Sequence, residues 1–177
     1  VDAIFINNDN TALAAFDPVP QITFINPQTF GNPIYYALMD ATGLQVGDYL
    51  VGTDTYFVAT VDDVAAPLVV RCNHILTFTR KGPGAPGANA YGGDQASTTL
   101  LTSWPASVTQ GTKGERGDAG LPRDPRQPWV QILLPAVSGV QLRYGDFAVD
   151  DQAQPMRYLV SSVEQTPLGY RITASVV

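Results

Sequence analysis

Cys72 and His74 are the residues best suited to covalent or metal chemistry, and they stand two apart in the chain. On a strand, positions i and i+2 share a face, so a thiolate–imidazole pair or two metal ligands is the chemistry they could do. Zinc takes three or four protein ligands, and the chain has a single Cys and a single His, so ordinary packing and hydrogen bonding is the expectation. Asp62-Asp63 and Asp150-Asp151 are paired carboxylates of the kind used in general acid–base work. Both pairs fall in turn-forming stretches, which points to solvated turn acids. Asn7 to Asn10 has the letters of a calcium loop without the central Gly and distal Glu that such a loop needs. No glycine loop leads into Lys-Ser or Lys-Thr, and Lys81-Gly82 has the reverse order for phosphate binding. Gly111, Gly114, Gly117 and Gly120 repeat at the collagen period but are too few to hold a triple helix, and Arg116-Gly117-Asp118 matches the integrin tripeptide by letters only. The expectation is a protein with no catalytic, cofactor-binding or metal residues, and not an enzyme.

The elements that would position these residues are strands. From Val1 to about Leu38, short apolar fragments alternate with turn residues, and Pro18, Pro20, Pro27 and Pro33 remove backbone donors. An extended arm fits this segment, and Ile34 to Met39 reads equally as a strand or a helical turn. Val46 to Val51, Thr55 to Ala59 and Pro67 to Phe78 then form a meander rich in the β-branched and aromatic types that suit a half-buried sheet. Residues 81–98 hold many glycines and little to bury, as in a linker. Thr99 to Val108 contains Trp104 before Pro105 and reads as a short strand or turn with a buried ring. A polar loop follows over 109–128, and Trp129 to Leu134 is a strand. A second meander runs from Leu142 to Val177, in which Tyr158, Val160 and Ser162 face one way, Leu159, Ser161 and Val163 the other, and Tyr170, Ile172 and Ala174 continue the alternation.

The meanders share a pattern. Leu44, Gly47, Asp48, Tyr49 and Val51 recur as Leu142, Gly145, Asp146, Phe147 and Val149; Tyr56-Phe57-Val58 recurs as Tyr158-Leu159-Val160; a strand bearing Arg71 or Arg171 follows. The expected fold is all-β, with two small barrel- or sandwich-like units built on related meanders. Residues 1–80 would be the arm plus the first unit, 81–98 the linker, and 99–177 the second unit with its long 109–128 loop.

Length and composition agree with this. A chain of 177 residues with 45% hydrophobic and 15% charged content folds, but units of ~80 residues bury only about 60–65% of their unfolded surface, so a partner subunit would help. No apolar run approaches the ~18 residues of a membrane helix, no basic-then-apolar leader opens the chain, and one cysteine makes no internal disulfide. The expectation is a soluble, unexported protein. A net charge of −6 argues against general affinity for nucleic-acid backbone.

Three segments together resemble structural proteins of tailed-phage and prophage morphogenesis modules: Gly47-Asp48-Tyr49-Leu50 through Tyr56-Phe57 to Val70-Arg71-Cys72-Asn73; Ser103-Trp104-Pro105-Ala106-Ser107 with Gly114-Glu115; and Gly145-Asp146 with Asp150-Asp151, Arg157 to Val160, Glu164-Gln165-Thr166 and Leu168 to Arg171. The last is similar in kind to small β-barrel neck proteins that close the head and join it to the tail. The resemblance implies a virion protein assembled in the host cytoplasm, a homo-oligomeric ring, and neighbours such as portal, adaptor, tail terminator or tube. Genome DNA would pass through its lumen without specific binding. Capsid decoration, tail or baseplate components are the alternatives in that class. A receptor- or glycan-binding module is the alternative outside it, with Tyr35, Tyr36, Tyr91 and Trp104 as the aromatic platform.

Overall fold

The computed structural model describes residues 2–5, 11–18, 33–62, 64–82, 97–110 and 129–177, with backbone alone for 2–5 and Thr11. The described residues are all-β, without a helix. The first sheet contains β1 (Asp2–Phe5), β2 (Thr11–Leu13), β3 (Ala15–Pro18), β4 (Ile34–Leu38), β5 (Tyr49–Val51), β6 (Thr55–Thr60) and β7 (Leu68–Cys72), in the order β2-β1-β5-β6-β7-β4-β3. The second contains β8 (His74–Lys81), β9 (Ser97–Gln110), β10 (Trp129–Leu134), β11 (Phe147–Asp150), β12 (Arg157–Thr166) and β13 (Gly169–Val176), closed as β10-β13-β12-β11-β8-β9.

The two sheets have one construction. The ends of the first, β2 and β3, are consecutive in the chain and separated only by the buried Ala14. Residues 11–18 are thus one interrupted strand whose front half pairs with β1 and whose back half pairs with β4, which brings the ends of the sheet together. Strand β9 does the same without a break, pairing first with β8 and then, from Ser107, with β10. Taking 11–18 as one strand, both sheets read as six strands with identical neighbours in identical chain order. We call them barrel 1 and barrel 2.

The shared meander is alike down to its registers. Tyr49 faces Phe57 and Leu50 faces Tyr56, as Phe147 faces Leu159 and Ala148 faces Tyr158. The next pairings, β6 with β7 and β12 with β13, each slip at one residue, Ala59 between Val58 and Thr60, and Ser161 between Val160 and Ser162. Such a bulge inserts an extra residue and sharpens the bend that a small barrel requires. Each copy enters through the same turn. Gly47 and Gly145 take φ of +93° and +85°, which a side chain disfavours, and their amides donate to Val58 and Val160 carbonyls. The buried Asp48 and Asp146 accept the amides of Gln45 and Arg143, three residues back, at 2.9 and 2.7 Å.

Inward residues of barrel 1 are Ala14, Ala37, Leu44, Leu50, Tyr56, Val58 and Val69, with Phe16 stacked on Tyr56 at 3.9 Å between centroids. Barrel 2 has a larger core that includes Leu76, Phe78, Ile132, Leu134, Tyr158, Val160 and Ile172, buried from alternate positions of each strand.

Several expectations change. The strand read as continuous from Pro67 to Phe78 is two, because Asn73 divides it and β8 joins barrel 2. Residues 81–98 join β8 to β9, neighbours in one barrel, so the change of unit falls at Asn73 and not in that glycine-rich stretch. Ile34–Leu38 is a strand, and Thr99 to Val108 belongs to a long one. The alternation on β12 breaks at the bulge: Ser161 and Ser162 are both exposed, and Val163 packs toward the core in the place expected for Ser162. Arg71 faces Tyr56 whereas Tyr158 faces Val176, so Arg71 and Arg171 are not equivalent. Most of the arm (19–32), the stretch 83–96 and the glycine loop at 111–128 lie outside the described residues.

Candidate functional site

The residues singled out for chemistry converge where the barrels meet. Asn73, between β7 and β8, behaves as a strand residue with its side chain: Nδ2 donates to the Val108 carbonyl at 2.8 Å and Oδ1 accepts the Val108 amide at 2.7 Å. Its backbone amide donates to the Ala106 carbonyl. The link between the units is thereby fixed to β9.

On either side of Asn73 a cleft of about 510 Å³ opens, walled by the β5–β6 turn (Thr53 to Thr55), residues 71–75, Pro105, and Asp150 to Gln152 at the start of the corresponding β11–β12 turn. Cys72 and His74 both line it, joined by Asp150 and Asp151. His74 Nε2 lies 3.6 Å from Asp150 Oδ2, an ion pair when the imidazole is protonated. His74 Nδ1 and Asp150 Oδ1 are buried without a hydrogen-bond partner among the described residues. Asp151 is held by Ser103 Oγ at 2.8 Å, and its amide donates to the Ile75 carbonyl. Arg71 donates to Asp54 at 2.8 Å across the mouth, where both side chains are well exposed, so this ion pair contributes little to stability.

Electrostatics disfavour nucleophilic chemistry at Cys72. Burial pushes its thiol up to about 12, so it stays protonated at neutral pH, and the thiolate is the form that attacks or binds metal. The Tyr158 phenol is likewise raised, first by burial and then by the Asp150 carboxylate. No cluster of three or more His, Cys, Asp or Glu suited to a metal ion occurs among the described residues. Asp62, from the other acidic pair, accepts the Val64 amide two residues on, as a turn acid does, while Asp63 lies outside the described residues.

Two arrangements were invisible in the sequence. Arg80 holds the buried Asp146 through Nε–Oδ1 at 2.7 Å and Nη2–Oδ2 at 2.8 Å, and also donates to the Gln141 carbonyl. This fork ties β8 to the entry turn of the second meander, and the hydrogen bonds to Asp146 are the main reason the Arg80 guanidinium is held more firmly protonated. The second is the seam between barrels. Tyr49, Phe57, Ala59 and Val70 on the outer face of the first meander are buried with Trp104 and Leu133 of barrel 2. Tyr49 meets Trp104 edge-on at 6.0 Å, and its hydroxyl donates to the Pro105 carbonyl at 2.8 Å. Each large apolar side chain buried there contributes ~1.5–3 kcal/mol, which makes the seam the strongest tie between the units. The only sequence signal was the unusual run of apolar residues on both faces of β5 and β6. No family model, curated protein or solved structure matches the chain.

Proposed function

We propose that this chain is a non-enzymatic structural subunit that assembles with copies of itself, and that it serves in a tailed-phage virion as a head–tail connector or neck (head-closure) ring subunit. The observation that carries the assembly reading is the seam: barrel docks on barrel through an apolar outer face, while Leu13 and Leu38 stand 77% and 56% exposed on barrel 1. Large apolar side chains on the outer wall of a barrel suit burial in an assembly.

The phage assignment rests on the sequence resemblance carried by the Gly-Asp turns and the second meander. A net charge of −6 suits a lumen that lets DNA through without binding it. Portal, adaptor, tail-terminator or tube proteins are the neighbours this reading requires, and the virion its location. Capsid decoration, tail and baseplate roles share the same class. Of the aromatics named for the glycan-binder reading, Tyr35 packs edge-on against Tyr56, Trp104 packs in the seam, and Tyr36 is half-buried on β4. Tyr91 lies outside the described residues.

The test is reconstitution with the portal, adaptor and tail-terminator proteins of the same morphogenesis module, read by size exclusion. A stable complex is expected. A protein that stays monomeric at high concentration and associates with none of them would sink the proposal.

A further inference from the structure

The shared registers map the seam of one barrel onto the free surface of the other. Tyr49 and Phe57, which barrel 1 presents to the seam, correspond to Phe147 and Leu159 on barrel 2. The receiving side corresponds too. Val69 and Ala174 are equivalent through their partners Val58 and Val160, which matches Tyr35 to Val130 and therefore Leu38 to Leu133. Ala15 then matches Ser107, and Leu13 matches Pro105, whose carbonyl accepts the Tyr49 hydroxyl in the seam. Barrel 1 thus shows exposed Leu13 and Leu38 at the positions where barrel 2 receives its neighbour.

We infer that the seam is repeated between chains: the Phe147–Leu159 face of one copy docks on the Leu13–Leu38 face of barrel 1 in the next. This rests on the assembly reading above and specifies its contact. The occupant is a second copy because both halves of an interface already formed once within the chain are present again, one on each barrel: Leu13 and Leu38 stand exposed on barrel 1, and Phe147 and Leu159 are not fully buried on barrel 2. Their chemistry fits a contact that is made and exposed in turn. Phe147 and Leu159 are half-buried rather than buried, and Ser161 stands where the first meander has Ala59. Charge agrees, since Arg157 and Lys81 lie over the Phe147 ring at 4.1 and 5.1 Å, while exposed Asp17 shares the strand face of Leu13 and Ala15. Unlike faces meet, so the contact is head-to-tail and yields a ring where the repeated rotation closes and a filament where it does not.

Leu38→Glu blocks one face and Leu159→Glu the other, with Leu13→Glu and Ser161→Arg as second blocks at exposed positions; circular dichroism checks that each variant folds. Native mass spectrometry should find the unaltered chain in multimers, each variant at the mass of one chain, and the Leu38→Glu plus Leu159→Glu mixture as a one-to-one complex, because each retains the face the other has lost. An unaltered chain that is monomeric at high concentration overturns this inference and the assembly reading together. Multimers that survive Leu38→Glu and Leu13→Glu overturn this inference alone. Single-chain mass for both variants and for their mixture would mean a two-fold symmetric contact, and overturns the head-to-tail arrangement.

Discussion

Barrel 1 and barrel 2 run the same strands in the same registers but distribute their apolar residues differently. Inside, barrel 1 has Ala37 and Leu50 where barrel 2 has Ile132 and Ala148, so large and small residues change places while the shared Leu44/Leu142, Val58/Val160 and Tyr56/Tyr158 stay. Cores tolerate such exchange when total volume and patterning are kept. Outside, the first meander is covered by barrel 2, and the second carries Phe147 under two cations. What is held constant is the turn: glycine at positive φ, a buried Asp, an amide bonded across to Val58 or Val160. Backbone geometry defines this barrel, and its surfaces are free to vary.

Substitutions can break or sharpen that comparison. The largest effect is expected at Gly169, which only barrel 2 has in its last hairpin. Its φ is +121°, and an added Cβ would sit 2.5 Å from the Leu134 carbonyl oxygen and 3.0 Å from Pro135 Cα, both backbone. Gly169→Ala should cost more than ~3 kcal/mol and unfold barrel 2, read as loss of the cooperative denaturant transition. Next is Arg80→Met, which leaves the Asp146 carboxylate buried without its fork. Because the Arg80 side chain is 28% exposed, a loss of about 2 kcal/mol is expected, below the 3–5 of a fully buried pair. Chemical denaturation of that variant should show the loss.

Smaller and more telling are Gly47→Ala and Gly145→Ala. Neither added Cβ meets an atom closer than 3.9 Å, so only the positive φ is opposed, at about 1 kcal/mol in each barrel. Similar losses support one turn used twice; a loss in one barrel only would argue against it. An effect of a different kind appears only at alkaline pH. The Cys72 thiol has an ordinary value near 9.0 and is raised to about 12 by burial, and the Tyr49 phenol is raised mainly by burial. A raised folded value means the contribution is whole below the unfolded pKa and is lost as pH rises through the folded one. Stability should therefore fall between pH 9 and 12, and Cys72 should resist thiol reagents at pH 8 until the chain unfolds.

Much of the fold was legible in the residues. The Gly-Asp-aromatic pattern is local, and it marked both meanders and their kinship. The kinship of the other half of each barrel is not legible, because β1 to β4 and β8 to β10 share connectivity rather than letters. Asn73 was illegible as a boundary because it mimics a strand residue through its side chain, and 81–98 looked like a linker because a long hairpin loop has the composition of one. At the junction, spacing alone pairs Cys72 with His74. The approach of Asp150, far along the chain, is set by the pairing of β8 with β11, which nothing local encodes. Arg80 lies outside both meanders, at the edge of the glycine-rich stretch, so nothing local points to its fork on Asp146.

The duplicated barrel, with its seam filled once inside the chain and left open once on each barrel, is tested most directly by the native mass of the unaltered protein across a wide dilution series. Multimers that dissociate to single chains on dilution are the expected result. A single-chain mass at every concentration would contradict it.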